Sequence, residues 1–151
     1  MSEPTYDSAG VNTVKEEAGL AGLLRWVGQT LAFGRYCTAL DFGYFATVMD
    51  LGNNLGLALS SDGVGTKLLV AEMLDKYDTV GIDCIAMNVN DLLCVGAEPV
   101  AMLDYIAVQE ADPAMLTAIG KGLYEGAKQA NISILDGQDR SAIADFTLKS
   151  A

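Results

Sequence analysis

The stretch Ser61-Asp62-Gly63-Val64-Gly65-Thr66-Lys67 sets an acid, two glycines and a lysine between two segments of different habit. Before it, Leu55 to Ser60 is a short apolar run with the length of a buried strand. After it, Leu68 to Leu74 is rich in Leu, Ala and Met and reads as a helix. A glycine turn between strand and helix leaves free backbone N–H groups at the positive end of the helix dipole, which suits an anion. Lys67 can set a point charge on a phosphate, and Asp62 can hold the Mg²⁺ that travels with nucleotides. The order differs from a Walker A loop, which needs GxxxxGK[ST]. Taken alone, the segment reads at least as well as a plain strand-to-helix turn, with glycines where φ is positive.

A second constellation shifts that balance. In Asn88-Val-Asn90-Asp91-Leu-Leu-Cys-Val-Gly96-Ala97-Glu98-Pro99 an acid precedes a Gly-Ala-x-Pro turn. Val80 to Val95 reads as a helix with Ile82, Ile85, Met87, Val89, Leu92 and Leu93 as its apolar content. Asp83, Asn90 and Asp91 are then polar groups in a largely apolar helix, and any that are buried need hydrogen bonds, a counter-charge or a metal. Asn90 and Asp91 offer the hard oxygen ligands that Mg²⁺ prefers, although Asp91 also fits a solvated outer face.

Together the two segments resemble the aminoimidazole ribonucleotide synthetase (phosphoribosylformylglycinamidine cyclo-ligase) family, through its SSDGVGTKL run and its D-x4-G-A-x-P signature. Tyr6-Asp-Ser-Ala-Gly-Val11, Asp78-Thr-Val-Gly-Ile-Asp83 and Leu103-Asp104-Tyr105 extend the resemblance, which runs from about Tyr6 to Leu135. It implies an ATP-dependent enzyme of purine biosynthesis that closes formylglycinamidine ribonucleotide into an imidazole ring. It implies nucleotide binding by Ser61, Asp62, Gly63, Val64, Gly65, Thr66, Lys67, Asn90 and Asp91, with Mg²⁺ on Asp62 and Asp91. Lys67 and Asp62 would be the catalytic pair. The implied fold is α/β (α+β), a mixed four-stranded sheet covered by helices that pairs with its twin through the sheet into an intersubunit barrel.

The chemistry accounts for such residues. An amide oxygen is a poor leaving group, so ring closure requires its phosphorylation before the amidine nitrogen attacks. Phosphoryl transfer asks a protein chiefly for positioning and charge neutralisation. The chain has no histidine, which excludes a His base or a Ser-His-Asp triad within it.

The chain also departs from the family pattern. Where family members read Gly-Gly-Glu-Thr-Ala, this sequence has Asp136-Gly137-Gln138-Asp139-Arg140, and Gln138 removes a charge. Asp7 stands where a lysine is common, the run from Leu40 to Asn54 looks like a divergent branch, and Ser141 to Ala151 matches nothing familiar. The family's second domain is expected to be missing from these residues. Two alternatives follow: a non-catalytic Mg-nucleotide-binding or dimerisation module, or another ATP-using relative such as a selenophosphate synthetase or thiamine-monophosphate kinase. The former of those relatives uses a reactive Cys near its N-terminus, and none precedes Cys37.

Composition fits one domain spanning residues 1–151: at 51% hydrophobic content the chain can build one core but not two. The polar, acidic start is unlike a targeting peptide, and no apolar run is long enough to span a membrane. Cys37, Cys84 and Cys94 are odd in number without CxxC spacing, as for buried thiols of a cytoplasmic protein. The net charge of −11 argues against nucleic acid or anionic membranes as partners, and gives ATP no global attraction either.

The remaining pattern alternates helix and strand. Val14 to Leu31 is a helix candidate with Leu20, Leu23, Leu24, Val27 and Leu31 on one face, and Trp26 reads as core or interface. Leu40–Asp50, Leu55–Ser60, Pro99–Val108 and Ile132–Leu135 read as strands. Asp112-Pro113 is a strong helix start, leading to Leu116, Ile119, Leu123 and Ala127 facing inward and an end near Asn131.

Overall fold

The computed structural model describes residues 13–140. The opening motif Tyr6–Val11 with Asp7, and the stretch 141–151, lie outside the described residues. The order is helix α1 (Thr13–Val27), a short 3-10 turn (Gly28–Ala32), strands β1 (Thr47–Gly52) and β2 (Leu55–Leu59), and helices α2 (Lys67–Leu74) and α3 (Val80–Cys94). Strand β3 (Ala101–Ala107), helix α4 (Pro113–Ala130) and strand β4 (Ser133–Arg140) follow. The α/β class read from the sequence therefore holds.

The centre of the molecule is the crossing of α3 and α4, packed on β3 and β4. Ile85, Leu123 and Ala127 are buried there; Met102, Ile106 and Ile134 close over them from the strands, and Ile132 from the residue before β4. Glycines let the helices approach. A Cβ on Gly81 would overlap the Leu123 amide nitrogen and lie 2.6 Å from the Gly122 carbonyl carbon. One on Gly126 would lie 2.9 Å from Ile85 Cγ1. Helix α4 starts and stops as its sequence demands: Asp112 Oδ1 accepts from Ala114 N at 2.7 Å, Pro113 opens the first turn, and Asn131 ends it in the left-handed region.

The implied four-stranded sheet is divided here into two pairs. β1 and β2 form an antiparallel hairpin whose tip, Asn53-Asn54, has both residues at positive φ, as a tight primed turn requires. β3 and β4 pair in parallel, with Ala101 opposite Ser133 and Tyr105 opposite Gln138. No ladder joins β2 to β3 among the described residues.

Three expectations shift. The first strand begins at Thr47, not Leu40, because Gly43 at φ +110° turns the chain just before it. The helix from Val14 ends at Val27 and tightens to 3-10 geometry at Gly28, a poor α-former. Its apolar face is not covered: Leu20, Leu23, Val27 and Leu31 are exposed, as is Trp26.

Candidate functional site

β2 hands the chain to the glycine turn, and α2 begins at Lys67, so the quoted stretch is a strand–turn–helix unit. Gly65 holds the left-handed backbone that the turn needs, at φ +67°. Its carbonyl accepts from Leu68 N at 3.2 Å, which starts the helix.

The turn is tied to α3 at two points. Asn88 clamps the Asp62 backbone, its Oδ1 accepting from Asp62 N at 2.9 Å and its Nδ2 donating to Asp62 O at 3.0 Å. That reciprocal pairing also fixes which way the amide faces, since each end must meet its complement. One turn further along α3, Asp91 Oδ2 accepts from Ser60 Oγ at 3.0 Å. Residues 84, 88 and 91 follow the i, i+4, i+7 spacing of one helix face, and Asn88 Nδ2 also donates to the Cys84 carbonyl at 3.0 Å. Asp62 Oδ1 meanwhile accepts from Gly63 N at 2.8 Å, stiffening the turn.

Asp62 and Asp91 are thus brought to the same junction of β2 and α3, along with Ser61, Gly63, Val64 and Gly65. Lys67 points elsewhere: its Nζ donates to Asp83 Oδ1 at 2.9 Å, with both side chains substantially exposed. A pair so exposed is worth about 0.2–1 kcal/mol, so a phosphate can capture the lysine. Thr66 is exposed in the residue before α2 and offers no side-chain cap. Asn90 is exposed as well, and the amide that clamps the turn is that of Asn88.

An open cleft of about 1140 Å³ runs between the turn and β3, lined by Ser60, Asp62, Cys84, Asn88 and Asp104 among others. Burial pushes the Cys84 thiol up, and the nearby Asp104 and Asp62 carboxylates push it the same way. Cys84 is half-buried, while Cys37 and Cys94 are exposed, so the expectation of three buried thiols fails for two of them.

Sequence reasoning missed Ser60, Asn88, Cys84 and Asp104. The helical spacing from Cys84 through Asn88 to Asp91 was the available signal for three of the contacts. Asp104 carried another, a charge in an otherwise apolar strand.

Asp62 and Asp91 are oxygen donors of the hard type that Mg²⁺ takes, each also accepting a hydrogen bond within the protein, from Gly63 N and from Ser60 Oγ. Among the described residues no group of three or more acidic, Cys or His side chains converges on one point. Two carboxylates on one junction are what Mg²⁺ uses when phosphate oxygens and water complete its octahedron, rather than an all-protein cage.

A βα turn pinned to a neighbouring helix by the Asn88 clamp and the Asp91–Ser60 hydrogen bond marks a small α/β domain. Residues 43–147 match the AIR synthase related protein family, N-terminal domain, and the chain belongs to that family. It is 51% identical over 137 residues to the phosphoribosylformylglycinamidine cyclo-ligase of Thermococcus kodakarensis, covering 89% of this chain and 41% of the relative. The enzyme of the same name from Methanobrevibacter smithii is 47% identical over 95% of this chain and 42% of its own length. That of Thermoplasma acidophilum is 52% identical over 64% of this chain and 28% of its own. The chain therefore spans about two-fifths of the length of the first two curated relatives.

Proposed function

We propose that these residues form the Mg-ATP-binding portion of a cytoplasmic cyclo-ligase of purine biosynthesis, acting on formylglycinamidine ribonucleotide. The observation that carries this reading is the double tie of the glycine turn to α3, Asn88 to Asp62 and Asp91 to Ser60. It holds Asp62 and the turn from Ser61 to Gly65 at the wall of an open cleft, with Asp91 behind them on Ser60.

In the reaction the γ-phosphoryl group passes to the amide oxygen, the amidine nitrogen bonds to that carbon, and phosphate leaves with the oxygen. Mg²⁺, when bound, supplies charge neutralisation on the phosphates. The N–H groups of the turn beyond Gly63 would orient the phosphate chain, since those of Asp62 and Gly63 are bonded within the protein, and Lys67 would pass from Asp83 to the transferring group. Asp62 and Asp91 are the metal-holding residues. Asn88 keeps the turn in register, so its role is positioning.

Dimerisation through the sheet belongs to the same reading. Leu55, Leu57 and Leu59 of β2, Leu103 and Tyr105 of β3 and Leu135 of β4 are exposed, and a second copy would cover them. The 151 residues by themselves are proposed to bind nucleotide without closing the ring, since catalysis requires amide oxygen, phosphate and amidine in one frame.

Calorimetry with Mg-ATP, ATP alone and Mg²⁺ alone tests the site. Asp62→Ala and Asp91→Ala should each weaken Mg-ATP binding about ten- to hundredfold, the loss of one charge-assisted contact. Unchanged affinity in both variants would remove the assignment.

A further inference from the structure

The cleft beside the glycine turn is lined by acids without a base. Asp62, Glu72, Asp104 and Glu110 contribute to its walls, and no Lys or Arg does among the described residues. Asp104 stands out within it. It lies on β3 at the same parity as Met102 and Ile106, which pack on the Ile85–Leu123 core, whereas its neighbours Leu103 and Tyr105 are exposed. Its Oδ1 is buried and has no hydrogen-bond partner among the described residues. A strand residue turned toward a core and ending in a bare carboxylate oxygen is poorly suited to packing alone. It needs a donor, and the described protein gives it none.

We propose that Asp104 receives the planar amidinium group of the substrate, deep in the same cleft whose mouth binds the nucleotide. The proposal rests on the cyclo-ligase reading for which substrate brings the cation. The geometry argues for the class of group. A carboxylate in a wall of like charge favours a cation over a neutral donor, and an amidinium has N–H groups spaced to meet a carboxylate edge. The acidic lining would also exclude a bare phosphate from this depth, leaving anionic and cationic ends of the ligands sorted along one cleft. Asp104 is thereby a specificity-determining residue: it holds the group as the amidinium, and a proton must leave that group, the Asp104 carboxylate being the base beside it, before the freed lone pair can attack.

The test is a titration of the ¹⁵N-labelled chain with acetamidinium chloride, followed by amide chemical shifts. Neutral acetamide and tetramethylammonium chloride serve as controls. Saturable shifts centred on Met102–Ile106 and Cys84, produced by acetamidinium and by neither control, are expected. They should weaken about tenfold or more in Asp104→Asn, which keeps the size and removes the charge. Equal binding by that variant overturns the proposal. So does absence of saturable acetamidinium binding to the unaltered chain, a readout that stands if the variant fails to fold. Mg-ATP affinity of the unaltered chain is measured in parallel. Loss of the nucleotide reading alone would appear as acetamidinium binding without Mg-ATP binding, and loss of this proposal alone as the reverse.

Discussion

Two parts of this molecule spend their apolar residues differently. Where α3 crosses α4 over β3 and β4, side chains are buried and glycines bring backbones into contact. Along α1 and the β1–β2 hairpin, residues of the same type stand in the open: Val14, Leu20, Leu23, Trp26, Leu55 and Leu57 are all exposed. The hydrophobic pattern in each part has the right period for its element. What differs is whether the described chain supplies a facing surface. Periodicity specifies which face wants cover, and topology decides whether cover is present. The candidate site lies on the seam between these parts, where the glycine turn leaves the hairpin and is clamped to α3.

Glycine substitutions break the comparison most sharply. Gly81→Ala should destabilise by about 3 kcal/mol or more, because the added methyl meets backbone atoms of α4 that cannot rotate away. Gly19→Ala in α1, with nothing near the new methyl, should be neutral or stabilise by up to about 1 kcal/mol through helix propensity. Urea unfolding of both variants measures this. A Gly81→Ala protein as stable as the parent would mean that the helix crossing is looser than described.

Next in size is the exposed sheet face. If a second copy covers it, Leu103→Asp should shift the mass seen by light scattering from dimer to monomer at micromolar concentration. The same change should leave the far-ultraviolet circular dichroism alone, since Leu103 points away from the core. A parent chain that is already monomeric would remove the proposed pairing and leave the face to another partner.

Much of this was legible beforehand for reasons that trace to single residues. Asp112-Pro113 and Asn131 bracket α4 because a cap, a fixed φ and a left-handed stop are local properties. The glycine turn could be located because Gly63 and Gly65 leave little other use for that stretch. The division of the sheet could not be read, since strand pairing depends on contacts between distant segments. The tie from α3 is half legible: the charge of Asp91 marks it, while the amide of Asn88 on a helix has many bland explanations. Asn90 stands beside Asp91 in sequence, and adjacent helix positions point about 100° apart.

A thiol reactivity series sharpens the contrast at the seam. Cys37 and Cys94 are exposed, and Cys84 faces the cleft with its thiol pushed up by burial and by Asp104 and Asp62. At mildly alkaline pH, iodoacetamide should modify Cys37 and Cys94 well before Cys84, read by mass spectrometry of peptides. The linked stability has a definite sign. A raised folded value favours the protonated thiol, so its contribution is present below the unfolded thiol range and is lost as pH climbs toward the folded value. Cys84→Ser should flatten that alkaline decline, and Cys84 labelling as fast as Cys94 would contradict its placement.

The smallest effect belongs to a residue that sits in both regions at once. The carbonyl of Asp78 lies against α4, 2.6 Å from where a Cβ on Gly122 would be, so its backbone is part of the tight crossing. Its carboxylate instead reaches into solvent and takes Lys76 Nζ at 2.7 and 3.0 Å, and that hydrogen bond holds its pKa below the ordinary carboxylate value. A lowered folded value means stabilisation that is present above the unfolded carboxylate range and lost as pH falls through the folded one. Because both side chains are exposed, salt screens the pair and the entropy of holding the lysine offsets most of its attraction. Lys76→Ala should therefore lower the urea midpoint slightly at neutral pH and low salt, and not at all in strong salt or in acid below the carboxylate range. A decrease of equal size under all three conditions would assign the lysine to packing against the crossing, and the pair would then belong to the buried region rather than the exposed one.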